Sequence, residues 1–290
     1  MTVFQDNIRL SSDIFSFLQK NHTGEVLLTT SKGIYLQISS HILLLADQAY
    51  GLTPIGIGLS RFVDFATVIA PQPGQPVSIS EGCLHFPGGT LVPCWDVAQP
   101  QPASGAILQE QLDSCTKQLL AQCSQRSLAS LAAPLLLKEP LPPSGQSNPY
   151  CSHALPLLKR LLSALTESDA DAITETVSKL LGLGLGLTPS LDDILSGLLY
   201  GLLRLTPQEA PTAVLSQAIA AYAPTHTNAI SAAYLLAVAR GGCFERLDDV
   251  LHGLCAQNII NIEPILEIGS SSGSEMLLGL LLAAKITTKG

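Results

Sequence analysis

The sequence predicts an α+β protein, with a β-rich N-terminal part (a sheet or small barrel) and a mainly α-helical C-terminal part that contains buried apolar helices. Short β-like runs fill the chain up to about residue 102, and helical periodicity begins after residue 105. The chain has 290 residues, of which 47% are hydrophobic, so it can bury the core of one large domain or of two ordinary ones.

The β-like runs are EVLLTT, GIYLQIS, HILLLA, FATVIA and PVSIS, separated by Gly, Pro and Ser. The tract QPQPAS at 99–104 interrupts them, and helical periodicity follows over 107–137. A second breaker-rich stretch, KEPLPPSGQSNPY, covers 138–150. We therefore expect a β-rich domain at 1–104, a helical connection and linker at 105–150, and an α-helical domain with a glycine-loop motif at 151–290.

The last domain contains seven candidate helices, each bounded by capping residues or breakers. They lie near 151–166, 169–181, 190–205, 211–222, 228–240, 245–256 and 274–285.

Composition excludes several partner classes. Only 13% of the residues are charged and the net charge is -8, which argues against binding to nucleic acid or an anionic membrane. The first residues, MTVFQDNIRLSSD, lack a signal pattern, and no apolar run is long enough to span a bilayer, so we expect a cytoplasmic protein. The low charged fraction favours apolar interfaces, either in a homo-oligomer or with other subunits. Seven widely spaced cysteines, without a CxxC pair, predict reduced and mostly buried thiols.

The most informative segment is GLGLGLTPSLDDILS, from Gly182 to Ser196. Its three glycines allow unusual φ values, so several backbone N–H groups can point at one anion beside a helix N-terminus. Either Thr188 followed by Pro189, or Ser190 with Asp193, fits a helix cap. Without a following lysine the segment is not a nucleotide P-loop, and it lacks the strand-turn-helix setting of a dinucleotide-binding fingerprint.

Asp192 and Asp193 lie in the first turn of this helix and leave two interpretations open. One is that they complement the helix dipole. The other is that they bind Mg²⁺ or transfer protons, because two carboxylates repel a bare phosphate at the same turn. No cofactor other than Mg²⁺ is indicated. Gly197 and Gly201, four residues apart, predict close approach of another helix.

Two further loop-to-helix junctions resemble the first in design. A Gly/Ser cluster from Gly269 to Gly273 precedes an apolar helix, with Ser272 and Glu275 in a capping pattern. In PTHTNAISAAYLLAVARGG, either Thr227 or Asn228 is expected to cap the helix, while His226 is expected to have a surface or capping role. Arg240, later on the same helix, is either an anion ligand or a charge that complements the helix C-terminus.

The segment from Gly182 to Gly197 resembles the pattern G-x-G-x-G-L-T-P-S-x-D-D-x-L-x-G of a bacterial family. That family includes AllH, a subunit associated with oxamate carbamoyltransferase of allantoin catabolism. TNAISAAYLLAVARGGCF and GSSSGSE fall where the family has similar segments, with Ser271 in place of threonine and Glu275 in place of aspartate. The resemblance implies interconversion of oxamate and carbamoyl phosphate with oxalurate and phosphate, carried out with other carbamoyltransferase subunits.

Together these observations predict a composite site for a small anion (oxamate, oxalurate, carbamoyl phosphate or phosphate), built from several helix starts. Asp192 and Asp193 are the candidate catalytic residues and the candidate Mg²⁺ ligands. The candidate anion-binding residues are Gly184, Gly186, Thr188, Pro189, Ser190, Thr227, Asn228, Arg240, Ser271, Ser272, Gly273 and Glu275. The alternatives are a non-catalytic binding or assembly subunit, or an enzyme acting on another small carboxylate or acyl phosphate.

Overall fold

The computed structural model describes residues 2–4, 8–20, 22–60, 62–63, 65, 71–92, 95–98, 103, 105–141, 148–256 and 258–288. It confirms the α+β class, with a β-sheet in the N-terminal part and helices in the C-terminal part. The chain divides into two compact units, Met1–Pro100 with Gly242–Arg246, and Gln101–Gly241 with Leu247–Gly290. The predicted boundaries at 104 and 150 stay a prediction.

The first unit is built on one mixed sheet. Its described strands are β1 (Thr2–Phe4), β2 (Ile8–Ser11), β3 (His22–Thr29), β4 (Gly33–Ile38), β5 (His41–Ala46), β6 (Gly56–Gly58), β7 (Pro76–Ser80), β8 (Cys83–Phe86), β9 (Gly89–Leu91) and β10 (Trp95–Ala98). They run across the sheet in the order β1-β9-β8-β7-β3-β4-β5-β6-β2-β10. The pairs β1–β9, β2–β10 and β5–β6 are parallel, and the other neighbours are antiparallel. Helix α1 (Ser12–Leu18) follows β2.

The antiparallel pair β4–β5, near the centre of this sheet, is buried along almost its whole length. Continuous burial explains why both strands are apolar on successive residues rather than on alternate ones. The predicted strands EVLLTT, GIYLQIS, HILLLA and PVSIS are confirmed as β3, β4, β5 and β7. Apart from Phe65, the predicted strand FATVIA lies outside the described residues.

A short segment from the C-terminal half belongs to the first unit. In Gly242–Arg246, the Glu245 carboxylate forms an ion pair with Arg9 and accepts a hydrogen bond from the backbone N–H of Leu52 at 2.8 Å. These bonds attach the segment to the sheet unit although it is distant in sequence.

The second unit is helical. Its helices are α2 (Gln109–Gln122), α3 (Cys151–Glu167), α4 (Ala170–Leu180), α5 (Ser190–Leu205), α6 (Ala210–His226), α7 (Ala229–Ala239), α8 (Glu245–Ala256, whose first two residues belong to the first unit), α9 (Glu263–Leu266) and α10 (Ser272–Thr287). All seven helices predicted after residue 150 are confirmed, within a few residues at each end. The structure adds the short α9.

The predicted helical stretch over 107–137 is divided into three pieces. After α2 the chain extends at Cys123, forms a 3-10 helix at Leu128–Leu131, and ends in a π-helical turn at Ala133–Leu137. Ser127 starts the 3-10 helix, because its hydroxyl accepts a hydrogen bond from the N–H of Ala129 at 3.0 Å. Of the tracts 99–104 and 138–150, residues 99–102, 104 and 142–147 lie outside the described residues.

Helices α5 and α10 run parallel and pack very closely against each other. A β-carbon on Gly197 would lie 1.9 Å from the carbonyl oxygen of Met276, and one on Gly279 would lie 2.1 Å from that of Ile194. A β-carbon on Gly201 would meet that of Ala283 at 2.6 Å. The predicted close approach at Gly197 and Gly201 is therefore confirmed, and the parallel direction brings both N-termini to the same place.

The cysteines agree with the prediction of reduced thiols. Cys115, Cys151, Cys243 and Cys255 are free and buried, Cys83 and Cys123 are free and partly exposed, and Cys94 lies outside the described residues. Burial raises the pKa of the Cys115 thiol to about 12. No helix in the described part of the chain combines the length and the apolar character that a bilayer crossing requires.

Candidate functional site

The glycine loop between α4 and α5 requires a backbone that other residues rarely adopt. Gly182, Gly184 and Gly186 have φ values of +78°, +122° and +111°, which confirms the predicted unusual φ values. A β-carbon on Gly182 would lie 2.1 Å from the carbonyl oxygen of His226, and one on Gly184 would lie 2.5 Å from the backbone nitrogen of Ser190. The loop therefore packs directly against the end of α6 and the start of α5.

The start of α5 differs from both predicted capping arrangements. Pro189 occupies the cap position, and its carbonyl oxygen accepts hydrogen bonds from the N–H groups of Asp192 at 2.9 Å and Asp193 at 3.2 Å. Proline has no side-chain acceptor, and Ser190 already lies inside the helix. The Thr188 hydroxyl, one residue before the cap, instead donates to the Asp193 carboxylate at 2.9 Å.

Asp192 connects the glycine loop with α7. Its carboxylate is 1% exposed and accepts hydrogen bonds from the N–H of Gly182 at 2.7 Å, from the Ser231 hydroxyl at 2.6 Å, and from the Thr227 hydroxyl. Burial raises the pKa of this carboxyl, and the three donors oppose that rise. Asp192 therefore holds three chain segments together through one side chain.

Asp193 lies one residue further on, between the starts of α5 and α10. Its side chain is hydrogen-bonded to the hydroxyls of Thr188 and Ser272, which are themselves 3.1 Å apart. Burial raises the pKa of Asp193 well above its ordinary value, and the nearby carboxyls of Glu275 and Asp192 raise it further. Thr188 and Ser272 are partly exposed residues, whereas Asp193 is buried.

Glu275 is completely buried in the first turn of α10. One of its oxygens accepts from the backbone N–H of Leu128 at 2.9 Å and from the Ser127 hydroxyl at 3.4 Å, and the other accepts from the Ser271 hydroxyl at 3.2 Å. The Ser190 hydroxyl is a further partner. Burial raises the pKa of Glu275 despite these donors. Asp192, Asp193 and Glu275 are called the acidic cluster below.

The predicted capping role of Ser272 is wrong by one residue. Ser271 precedes the first turn of α10, and its carbonyl oxygen accepts a hydrogen bond from the N–H of Glu275 at 3.0 Å. Ser272 is the first helical residue, so its hydroxyl is available to Thr188 and Asp193. A β-carbon on Gly273 would lie 1.7 Å from the carbonyl oxygen of Ile265, so this glycine allows α10 to start against α9.

At the third junction Asn228 caps α7. Its side-chain oxygen accepts from the N–H of Ser231 at 3.0 Å, and its amide nitrogen donates to the carbonyl oxygen of Leu187 at 2.9 Å. Of the two predicted candidates, Asn228 is therefore the cap, and Thr227 binds Asp192. His226 is exposed at the end of α6, as predicted.

The structure brings most of the predicted residues together but not Arg240. Asp192, Asp193, Glu275 and the hydroxyls of Thr188, Ser190, Thr227, Ser271 and Ser272 form one hydrogen-bonded region, with Gly184, Gly186, Pro189, Asn228 and Gly273 in the adjoining backbone. Arg240 is exposed at the other end of α7, about 18 Å along the helix axis from Asn228.

Sequence reasoning missed three groups of this region. Ser127 and the backbone N–H of Leu128 come from the connection after α2, and nothing in their local pattern indicates a carboxylate partner. Ser231 had a weak signal, because it is a hydroxyl residue in the first turn of an otherwise small and apolar helix.

The chemistry of the region is that of buried carboxyls surrounded by hydroxyl and amide donors. A carboxyl with a raised pKa keeps its proton to higher pH and can donate it to a basic atom. Both oxygens of Asp192 already accept hydrogen bonds, which leaves little of their acceptor capacity for a metal ion. Within the described ranges, no three His, Cys, Asp or Glu side chains form a group suited to a metal ion. The predicted Mg²⁺ stays a prediction.

The C-terminal part of the chain matches the model of a known family. A family model described as oxamate carbamoyltransferase subunit AllH matches residues 180–284. The matched stretch begins at the last residue of α4 and contains all three loop-to-helix junctions and the acidic cluster. No solved structure was found to match the chain. Over residues 180–284 the chain is AllH-like, as the resemblance of its sequence motifs indicates.

Proposed function

We propose that this chain is a subunit of an enzyme of the oxamate carbamoyltransferase type, which converts oxalurate and phosphate to oxamate and carbamoyl phosphate together with partner subunits. The observation that carries the proposal is the AllH match over residues 180–284, because it contains the whole acidic cluster and the glycine loop. The family name speaks of a subunit, and we extend that organisation to this chain.

The proposed binding site for the small anion is the glycine loop with the starts of α5 and α10. Helix N-termini carry a partial positive charge, and glycine backbones with positive φ can turn their N–H groups toward one ligand. Gly184 and Gly186 supply such a backbone. We assign ligand contacts also to the hydroxyls of Thr188 and Ser272, two partly exposed residues that are hydrogen-bonded to Asp193.

In the proposed reaction a phosphate oxygen attacks the carbamoyl carbon of oxalurate, and the bond from that carbon to the oxamate nitrogen breaks. The leaving nitrogen takes up a proton, and the attacking phosphate loses one. We assign the transfer of this proton to Asp193, acting through the hydroxyls of Thr188 and Ser272. A protonated Asp193 also carries no charge, so it does not repel the phosphate.

The decisive experiment is phosphorolysis of oxalurate by the purified chain, with and without the products of the neighbouring genes. Oxamate and carbamoyl phosphate are expected only with partner subunits present. Asp193→Asn is expected to lower kcat by about a hundredfold or more, the usual size of a general acid-base contribution. Asp171→Asn, in the exposed first turn of α4, is the matched control and should keep full activity. Unchanged activity in Asp193→Asn would remove Asp193 from the reaction.

A second candidate is a non-catalytic assembly subunit, and two exposed side chains favour it. Leu185 and Leu187 in the glycine loop are 61% and 43% exposed, and exposed apolar side chains suit a partner surface. This candidate predicts tight partner binding without any thermal shift on adding phosphate or oxamate. The remaining alternative is an enzyme that acts on another small carboxylate or acyl phosphate. A binding screen of the chain against such compounds tests it.

A further inference from the structure

A cavity of about 260 Å³ lies at the end of the helical unit where α3, α5 and α10 end and α6 begins. It lies about 15 to 21 Å along α5 from the acidic cluster, because Leu202 and Thr206 follow Asp192 by 10 and 14 residues. Its polar lining comes from hydroxyl side chains and one carboxylate, which are those of Thr166, Ser168, Thr206, Thr212, Thr287 and Glu209. We call it the C-terminal cavity.

Three of the threonine hydroxyls in this cavity lie within hydrogen-bond distance of helix carbonyl oxygens. The hydroxyl of Thr166 donates to the carbonyl oxygen of Leu162 at 2.8 Å, and that of Thr287 donates to the carbonyl oxygen of Ala284 at 3.0 Å. The hydroxyl of Thr206 lies 3.3 Å both from the carbonyl oxygen of Leu202 and from the Thr212 hydroxyl, so its proton is engaged by one of these two partners. A hydroxyl has one proton and two lone pairs, so these three groups offer acceptors to a ligand.

The electrostatic setting favours positive charge. The C-termini of three helices carry partial negative charge at the cavity, and the N-terminus of α6 carries partial positive charge. The full negative charge of Glu209, which occupies the cap position of α6, keeps the sum negative. The basic residues in the last turns of α5 and α10 are engaged elsewhere. Arg204 lies over the Tyr200 ring, 4.4 Å from its centroid, and faces Asp248, while Lys285 donates to the Gln109 side chain.

The apolar part of the lining requires that the ligand also has an apolar group. Leu165, Leu202 and Ile286 line the cavity beside the acceptors. The volume is smaller than that of sites for drug-sized ligands, which begin at about 300 Å³. We propose that the C-terminal cavity binds a small organic ammonium ion with a short alkyl group, whose N–H donors meet the hydroxyl lone pairs and the Glu209 carboxylate. This inference is independent of the proposed function.

The test is titration of the full-length chain with n-propylammonium, followed by NMR of backbone amides and by calorimetry. The amide signals of Ser168, Thr206 and Glu209 are expected to shift, with a Kd in about the millimolar range because the ligand has few atoms. Neutral n-propanol should bind more weakly, and propionate should not shift these signals. Absence of the shifts with n-propylammonium, or equal shifts with propionate, overturns the proposal.

Three variants localise the binding. Glu209→Gln removes the charge and should weaken n-propylammonium binding about threefold to fivefold, as expected of an exposed ion pair. Thr287→Val removes one acceptor and should weaken it by a similar factor. Thr174→Val is the matched control, because its hydroxyl also donates to a helix carbonyl, that of Ala170, but lies outside the cavity. Binding that is the same in all three variants places the ammonium ion elsewhere and contradicts the proposal.

Discussion

The Thr188 hydroxyl donates a hydrogen bond to the buried Asp193 carboxylate across the start of α5, at 2.9 Å. This bond stabilises the ionised carboxylate, but burial and the neighbouring acids Glu275 and Asp192 act more strongly in the opposite direction. The pKa of Asp193 is therefore well above its ordinary value of 3.8. The folded chain binds this proton more tightly than the unfolded chain.

The first prediction concerns stability as a function of pH. Folding raises the pKa of Asp193, so proton binding at Asp193 stabilises the folded chain. This contribution to the free energy of unfolding is fully present below about pH 4 and is lost as the pH rises through the raised pKa. Asp193→Asn cannot ionise, so its free energy of unfolding should fall less than that of the parent chain when the pH is raised from about 4 to about 7. Urea denaturation followed by far-UV circular dichroism at several pH values measures this.

Asp171→Asn serves as the control for this first prediction, because Asp171 is an exposed acid in the first turn of α4. It should show the pH dependence of the parent chain. Part of the dependence should also persist in Asp193→Asn, since Glu275 and Asp192 have raised pKa values as well. A pH dependence in Asp193→Asn that equals or exceeds that of the parent chain would contradict the prediction.

The second prediction is that Asp192→Asn destabilises the fold. Three donors, from Gly182, Thr227 and Ser231, point at the two oxygens of Asp192. An asparagine amide keeps only one of these oxygens and turns N–H groups toward the remaining donor. The free energy of unfolding should fall by about 1–3 kcal/mol, the cost of a buried unsatisfied donor. Urea denaturation at neutral pH gives the value.

Ser231→Ala is the milder comparison for Asp192→Asn. It removes one donor and leaves the carboxylate with its bonds to Gly182 and Thr227, so the loss should be about 1 kcal/mol or less. If Asp192→Asn were as stable as the parent chain, the carboxylate would not be holding the glycine loop and α7 together.

The third prediction tests the contact between α5 and α10. A β-carbon on Gly279 would lie 2.1 Å from the carbonyl oxygen of Ile194 and 2.6 Å from the backbone nitrogen of Leu198. Backbone atoms cannot move aside as a side chain can, so Gly279→Ala should lower the free energy of unfolding by about 3 kcal/mol or more. Thermal and urea denaturation are the measurements.

Gly253→Ala on α8 is the control for Gly279→Ala, because both substitutions raise the helix propensity but only the one at Gly279 places a β-carbon in close contact with backbone atoms. Its β-carbon would make one close contact, with Cγ1 of the Ile260 side chain at 3.1 Å, and would lie at an ordinary van der Waals distance of 3.9 Å from the Cα of Ile260. The substitution should leave stability nearly unchanged or raise it by up to about 1 kcal/mol. Equal stabilities of the Gly253 and Gly279 variants would show that α5 and α10 separate without cost.

The fourth prediction separates folding from association. Leu185 and Leu187 are exposed in the glycine loop, so replacing both by serine should change the free energy of unfolding by no more than about 0.5 kcal/mol. The same double variant should bind the partner subunits more weakly, in surface plasmon resonance with the products of the neighbouring genes. Undiminished binding would place the partner surface away from the loop.

The helical half is largely predictable from the sequence, for physical reasons. Helices α3 and α4 have an apolar face with a period near 3.6 residues, whereas α5 and α10 are apolar on nearly all sides, and Gly, Pro or a capping residue marks the start or end of these segments. The strands β6 and β9, GIG and GTL, gave no signal because runs of three residues that contain glycine are too short to show a strand pattern. Their place in the sheet depends on pairing with distant residues.

The candidate site was predictable only where its partners are local. The glycine loop and the acids at the start of α5 form a continuous motif, so their proximity follows from the sequence alone. The bond from the Leu128 N–H to Glu275 joins residues 147 positions apart and depends on tertiary packing. Arg240 is close in sequence to the third junction but lies far from the site. Eleven helical residues separate it from Asn228, so it lies at the other end of α7.

The return of Gly242–Arg246 to the sheet unit has a consequence for how such a gene can be divided. The codons of the sheet unit occupy two separate stretches, with those of α2 to α7 between them. A crossover near codon 100 would therefore leave Arg9 and the Leu52 N–H without the Glu245 carboxylate that they bind. Because of this interleaving, an exchange of the whole sheet unit between related genes needs more than one crossover.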